Sequence, residues 1–170
     1  MSIISHLFLA GLVATTVSTA AVAASQRPAE TWNYYHFDGQ RFVAGRPLDA
    51  VPCLAVRDHM QPVAVTQAAP VSAVELPAGK GAIAGICYIQ SAGGKLGAGS
   101  AYLPCSHMPI TVSSGGRAVA TMQTDEQGYF IAVLDAGSYR IGSAPLAVDI
   151  TIKKGTTTLA PLRAGKRMAD

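Results

Sequence analysis

The residues best equipped for chemistry lie in two short clusters, Cys53 with His59-Met60, and Cys105-Ser106-His107-Met108. Thiolate, imidazole and thioether groups are soft or borderline donors of the kind that hold copper or zinc. Cys53, His59, Cys105 and His107 therefore form a candidate Cys2His2 metal set, with Met60 and Met108 as further soft ligands. The competing use of the same sulfurs is a Cys53–Cys105 disulfide that staples the N-terminal segment to the rest of the chain. With three cysteines, 53, 87 and 105, three single pairings stay open and one thiol is left over. Cys87 lies in an apolar strand pattern and reads as a small buried hydrophobe, with no sequence neighbour that lowers its pKa.

Hydrolytic chemistry finds less support. There is no G-x-S-x-G: Ser100 lies in GSAYL, and Ser113-Ser114 precede glycines. His36, His59 and His107 lack an acid–base signature around them, although Asp58 adjoins His59. No catalytic residue is assigned, and a hydrolase of unknown type ranks third among the functional readings. Asp125 and Glu126 are two acids in one turn, too few for a calcium loop, and Asp125 reads as the cap of its own turn.

The elements that must position these groups are short strands. TDEQGYFIAVLDAGSYRI, residues 124–141, carries two Asp-led turns with in–out alternation between them. Asp125 and Gly128 occupy the first and last positions of a type I turn, and Gly137 suits a positive φ. Phe130, Ala132 and Leu134 share one face of YFIAVL; Tyr129, Ile131 and Val133 share the other. That second apolar face is either covered by the Trp32–Phe37 segment or is an interface. AIAGICYI is a first strand, with Ile83, Cys87 and Ile89 on one face, and PITVSS turns through Gly115-Gly116 into RAVATMQT. Asp38-Gly39 predicts a hairpin turn, and VDITIKKGTTTLAPL predicts a final hairpin about Lys154-Gly155. Chemistry-bearing turns on alternating strands give an all-β expectation: an antiparallel Ig-like or transthyretin-like sandwich of about seven strands with an N-terminal extension.

GAIAGICYI, PITVSS, TDEQGYFIAVLDAGSYRI and VDITIKKGTTTLAPL together resemble the carboxypeptidase regulatory-like domain, among the transthyretin-like and collagen-binding B-type sandwiches. The resemblance covers residues 81–163. It implies a non-catalytic accessory module on a secreted or surface protein. Two features depart from the family pattern: a long first loop, from Gln90 to Met108, that carries Cys105, and the aromatic N-terminal segment. The related hydroxyisourate hydrolases end in Tyr-Arg-Gly-Ser; here Tyr139-Arg140-Ile141-Gly142-Ser143 is interrupted and internal, so that activity is not carried over.

The first charged residue is Arg27, and an apolar run from Leu7 to Val13 leads to Ala21-Val22-Ala23-Ala24, the pattern of a secretory signal. The expected organisation is a signal peptide over 1–24, an aromatic-rich segment over 25–60, a Pro/Ala/Val linker over 61–80, the sandwich over 81–163 and a basic tail over 164–170. A net charge of +3, clustered only in that tail, does not make a nucleic-acid footprint. The chain is thus expected to be exported, periplasmic or extracellular, and to serve binding or assembly with a protein or cell-surface partner. Neither nucleic acid, nor membrane after signal cleavage, nor a cofactor is expected, with copper or zinc binding as the alternative.

Overall fold

The computed structural model describes residues 31–46, 52–66, 71–91, 102–142 and 147–167. The signal peptide expected over 1–24 lies outside them. The described residues form twelve strands and no helix. The chain is an all-β sandwich, and its middle layer carries a sheet on each face.

The middle sheet is built on β5 (Lys80–Ser91), whose sequence KGAIAGICYIQS is apolar on both faces, the pattern of a strand buried on two sides. On one side β5 pairs antiparallel with β9 (Tyr129–Asp135), from Lys80–Asp135 to Ile86–Tyr129, and then with β6 (Tyr102–Pro104). On the other side β12 (Thr157–Arg167) runs parallel to it, from Thr157–Ala82 to Arg167–Ser91.

Odd-numbered residues of β5 face one outer sheet, made of β7 (Pro109–Ser114), β8 (Arg117–Gln123), β10 (Gly137–Ile141) and β11 (Val148–Ile152) in the order β11-β10-β7-β8. Ile83, Cys87, Phe130, Leu134 and Leu162 from the middle sheet meet Ile110, Val112, Ile141 and Ile152 from that layer. Each of these fully buried aliphatic side chains is worth roughly 1.5–3 kcal/mol against exposure.

Even-numbered residues of β5 face the second outer sheet. It contains β1 (Asn33–Phe37), β2 (Phe42–Ala44), β3 (Cys53–Val56) and β4 (Val63–Val65), ordered β2-β1-β3-β4. Phe37, Leu54 and Val56 pack there on Ala84, Ile86, Tyr88 and Tyr129. The Phe37 ring lies 4.6 Å from that of Tyr88 and 4.9 Å from that of Tyr102, tilted and edge-on, the offset arrangement that aromatic quadrupoles favour. Asp38 closes the β1–β2 hairpin as expected: its Oδ1 accepts the amides of Gln40 and Arg41, both at 2.8 Å. Those amides, Arg41 first, hold the Asp38 carboxyl below the usual carboxylate range.

Two expectations change. Lys154-Gly155 does not close a hairpin. β11 belongs to the outer sheet and β12 to the middle one, so this turn is a corner between layers. The Gly155 amide donates to Lys80 O at 2.8 Å and the Ala82 amide to Thr156 O at 2.9 Å, which delivers β12 to β5 in parallel. Short-range alternation is identical for a hairpin and for a layer-switching corner; the unfilled side of β5 decides between them. The second concerns Gly137, which does not take the positive φ expected of it: it opens β10 as an ordinary strand residue, with room for a Cβ beside the Tyr139 ring. The apolar face left open between internal cover and an interface is that of Tyr129, Ile131 and Val133. Tyr129 is buried and Ile131 packs against the Phe37 cluster, so these two are core and not an open interface. Val133 on the same strand is half-buried.

Candidate functional site

The sequence-nominated chemistry divides among three places. Cys53 sits on β3 with its side chain on the outer face, among Ala55, Val65, Trp32 and Tyr34. Burial pushes its thiol up in pKa, opposed by the charge of Arg46. His59 lies at the β11–β12 corner: its amide donates to Gly155 O at 2.6 Å, and its own φ is 63°. Cys105 and His107 lie elsewhere, in a tight loop between β6 and β7.

That loop is strapped to the turn between β8 and β9. Thr124, fully buried, donates its hydroxyl to Cys105 O and accepts the Met108 amide at 2.8 Å. Ser106 Oγ donates to Glu126 O at 2.7 Å, and Gln123 Nε2 donates to His107 O at 2.9 Å. His107 adopts a φ of 54°, uncommon for a residue with a side chain. Opposite it, Asp125 closes its turn through Gly128 N to Asp125 O at 3.1 Å, and its Oδ1 accepts the amides of Gln127 and Tyr129. Gly128 has φ of 80°, and a Cβ there would lie 2.6 Å from Cys87 O, so the turn admits no side chain. Asp125 and Gly128 thus hold the structural roles their types predict, and the Ser106 hydroxyl is spent on backbone.

The four nominated metal ligands do not converge. His59 is anchored beside Lys80 through Gly155, whereas Cys105 donates its amide to Cys87 O. Seven residues of extended strand separate Lys80 from Cys87, about 23 Å. Cys53 lies on the far side of two sheets from Cys105. Among the described residues no three His, Cys, Asp or Glu side chains gather as a metal would require. The same layering overturns the Cys53–Cys105 disulfide, because Cys53 and Cys105 face different cores.

What does come together is one of the three cysteine pairings the sequence leaves open, Cys87 with Cys105, joined by Met108. Cys87 Sγ donates to Met108 Sδ at 3.6 Å, and Cys105 packs against the same core beside them. Burial, then the Cys105 thiol, push the Cys87 pKa up to about 12. The signal available in sequence was the parity of Cys87 on its strand; its partner lies beyond residues 92–101, and the β5–β6 register that opposes the two is not a local property.

Two surface features complete the inventory. An open groove of about 420 Å³ crosses the outer sheet beside the Arg140–Asp149 ion pair, whose two bonds measure 3.0 and 3.2 Å. Its serines are engaged: Ser113 Oγ donates to Arg140 O and Ser114 Oγ to Ser138 O. The second feature is β8, which pairs with β7 on one side only. Val119, at its middle, is 53% exposed.

No protein-family model matches the chain, and no curated protein matches it. Among solved structures, GBS52, the minor pilin in the gram-positive pathogen Streptococcus agalactiae, is similar over 76% of this chain and 66% of its own. The identity is 11% and the TM-score 0.38, and the chain spans just under two thirds of that pilin's length. The fold assignment stands on the sheets described above and not on that likeness.

Proposed function

We propose that the chain is a non-catalytic β-sandwich module for binding or assembly at the cell envelope or outside the cell, and that it engages a partner protein through strand β8. The carrying observation is the state of that edge. β8 offers seven residues, RAVATMQ, with no charge after Arg117 and with Ala118 and Val119 exposed. Among the other edges, β9 also pairs on one side only but is buried or half-buried from Tyr129 to Leu134, and β6 is three residues long; the rest are blunted. β2 and β4 are three residues long, β12 carries Pro161 and basic residues, and the Thr151 carbonyl of β11 is taken by Thr158 Oγ1 at 3.0 Å. Short edges, proline and charge are the devices by which proteins discourage strand addition, and β8 lacks them. An unpaired, neutral edge is what a partner strand adds to. The resemblance of residues 81–163 to carboxypeptidase regulatory-like accessory modules, and the secretory pattern of residues 1–24, support the setting.

The test is binding of the labelled protein to intact cells of its own host, with self-association followed by sedimentation. Val119→Lys is expected to weaken association about tenfold or more while leaving the unfolding midpoint unchanged. Val148→Lys, on the other edge of the same sheet, is the control. Equal binding by all three proteins would remove β8 as the interface.

A further inference from the structure

We propose that Cys87 and Cys105 are a disulfide-forming pair that locks β6 and the Cys105–Met108 loop onto the middle sheet, with Cys53 as the thiol left over. The register carries the proposal. β5 and β6 pair Tyr88 with Pro104 and Ile89 with Leu103, and one step further places Cys87 opposite Cys105. The Cys105 amide donates to Cys87 O at 2.9 Å, which extends the ladder to that pair. Directly opposed residues of antiparallel strands have Cα atoms about 4.5–5.5 Å apart, inside the window of roughly 4.4–6.8 Å that a disulfide spans. Both side chains belong to the same core. Cys53 is excluded by layering: Leu54 and Val56 face the middle sheet, so Cys53 and Ala55 face away from it.

The chemistry is thiol–disulfide exchange with a small-molecule or protein disulfide as the oxidant. Cys105 is the half-exposed partner and Cys87 the buried one, so entry is through Cys105. The Cys105 thiolate attacks one sulfur of the oxidant, forms a mixed disulfide and releases the first thiol. Cys87 then loses its proton, attacks Cys105 Sγ and expels the second thiol. Two cysteine thiols are oxidised to one S–S bond and one disulfide is reduced to two thiols. The attacking species in the second step is a thiolate, and the raised pKa of Cys87 makes ring closure the slow step at neutral pH.

The experiment uses the full chain, reduced and then equilibrated with glutathione disulfide, denatured, alkylated and mapped by mass spectrometry. The expected result is alkylation at Cys53 alone, a linked peptide pair containing Cys87 and Cys105, and an unfolding midpoint higher than that of the reduced protein by about 5–10 °C. Cys53→Ser is expected to form the same bridge with no alkylated cysteine, which keeps the test decisive even where Cys87→Ser or Cys105→Ser fails to fold. Three alkylated cysteines, a bridge that includes Cys53, or one equivalent of copper or zinc retained with all thiols reduced would each overturn the proposal.

Discussion

The Tyr129 hydroxyl donates to the Pro52 carbonyl at 2.9 Å, a hydrogen bond from the middle sheet to the outer sheet of β1–β4. The Tyr129 ring is buried, and burial holds its hydroxyl well above the usual tyrosine range, so the group stays a neutral donor. Removing only that oxygen tests how firmly the aromatic segment is fixed. Tyr129→Phe is expected to cost about 1–2 kcal/mol in urea unfolding, because the Pro52 carbonyl loses its partner. Amide exchange should quicken in β3 more than in β10. An unchanged midpoint would mean that the outer sheet is held by apolar packing alone.

Gly85 is the tightest point between β5 and its neighbours. A Cβ there would run into Ala160 O and lie 2.8 Å from Phe130 Cε1, with β12 on one side and the core ring on the other. Gly85→Ala is expected to destabilise the protein by about 1–3 kcal/mol through overpacking. Thermal unfolding of the pure variant checks this, and a midpoint equal to the parent's would contradict the close approach of β5 and β12.

Asp125 is tested by the contrast between two substitutions. Asp125→Ala strips the acceptor from the Gln127 and Tyr129 amides and should cost about 1–2 kcal/mol. Asp125→Asn keeps a carbonyl at the same place and should recover most of that loss. If both variants bound calcium less well than the parent and were equally stable, the turn-cap role would be refuted.

The reduced protein should lose stability in alkaline solution. Cys87 has a folded-state pKa raised from 9.0 to about 12, so the unfolded chain gives up that proton first as pH rises. The stabilisation is complete below pH 9.0 and drains away towards pH 12. A fully buried group would lose about 1.4 kcal/mol per pH unit over that window. Urea midpoints at successive pH values should fall, and Cys87→Ala should flatten the slope. A slope unaffected by that change would place the alkaline loss elsewhere, on Tyr129 first.

Much of the fold was legible residue by residue. The parity of Phe130, Ala132 and Leu134 gave the face that meets Ile110 and Val112, and Asp38 and Asp125 announced their turns through their own side-chain acceptors. Those signals are local, and so they survive without knowledge of the rest of the chain. The parallel partnership of β12 with β5 was not legible, because alternation in VDITI and TTTLAPL says which face is apolar but not which neighbour receives it. The cysteine pairing failed for the same reason. Cys87 and Cys105 meet through a register that is not a local property, while Cys53, which looked equally available, is turned outward by a single residue of strand parity. The exposed edge at Val119 was invisible as well, since edge or centre is a property of sheet order and not of sequence.

The parallel ladder from Thr157–Ala82 to Arg167–Ser91 also decides how the molecule would resist being stretched. Because β5 and β12 point the same way, tension applied at Lys80 and at Arg167 pulls on opposite ends of the pair and loads its hydrogen bonds in shear. They must then rupture together, where an antiparallel pair pulled from adjacent ends would peel open one rung at a time. Single-molecule pulling through those two points should therefore give one high-force event.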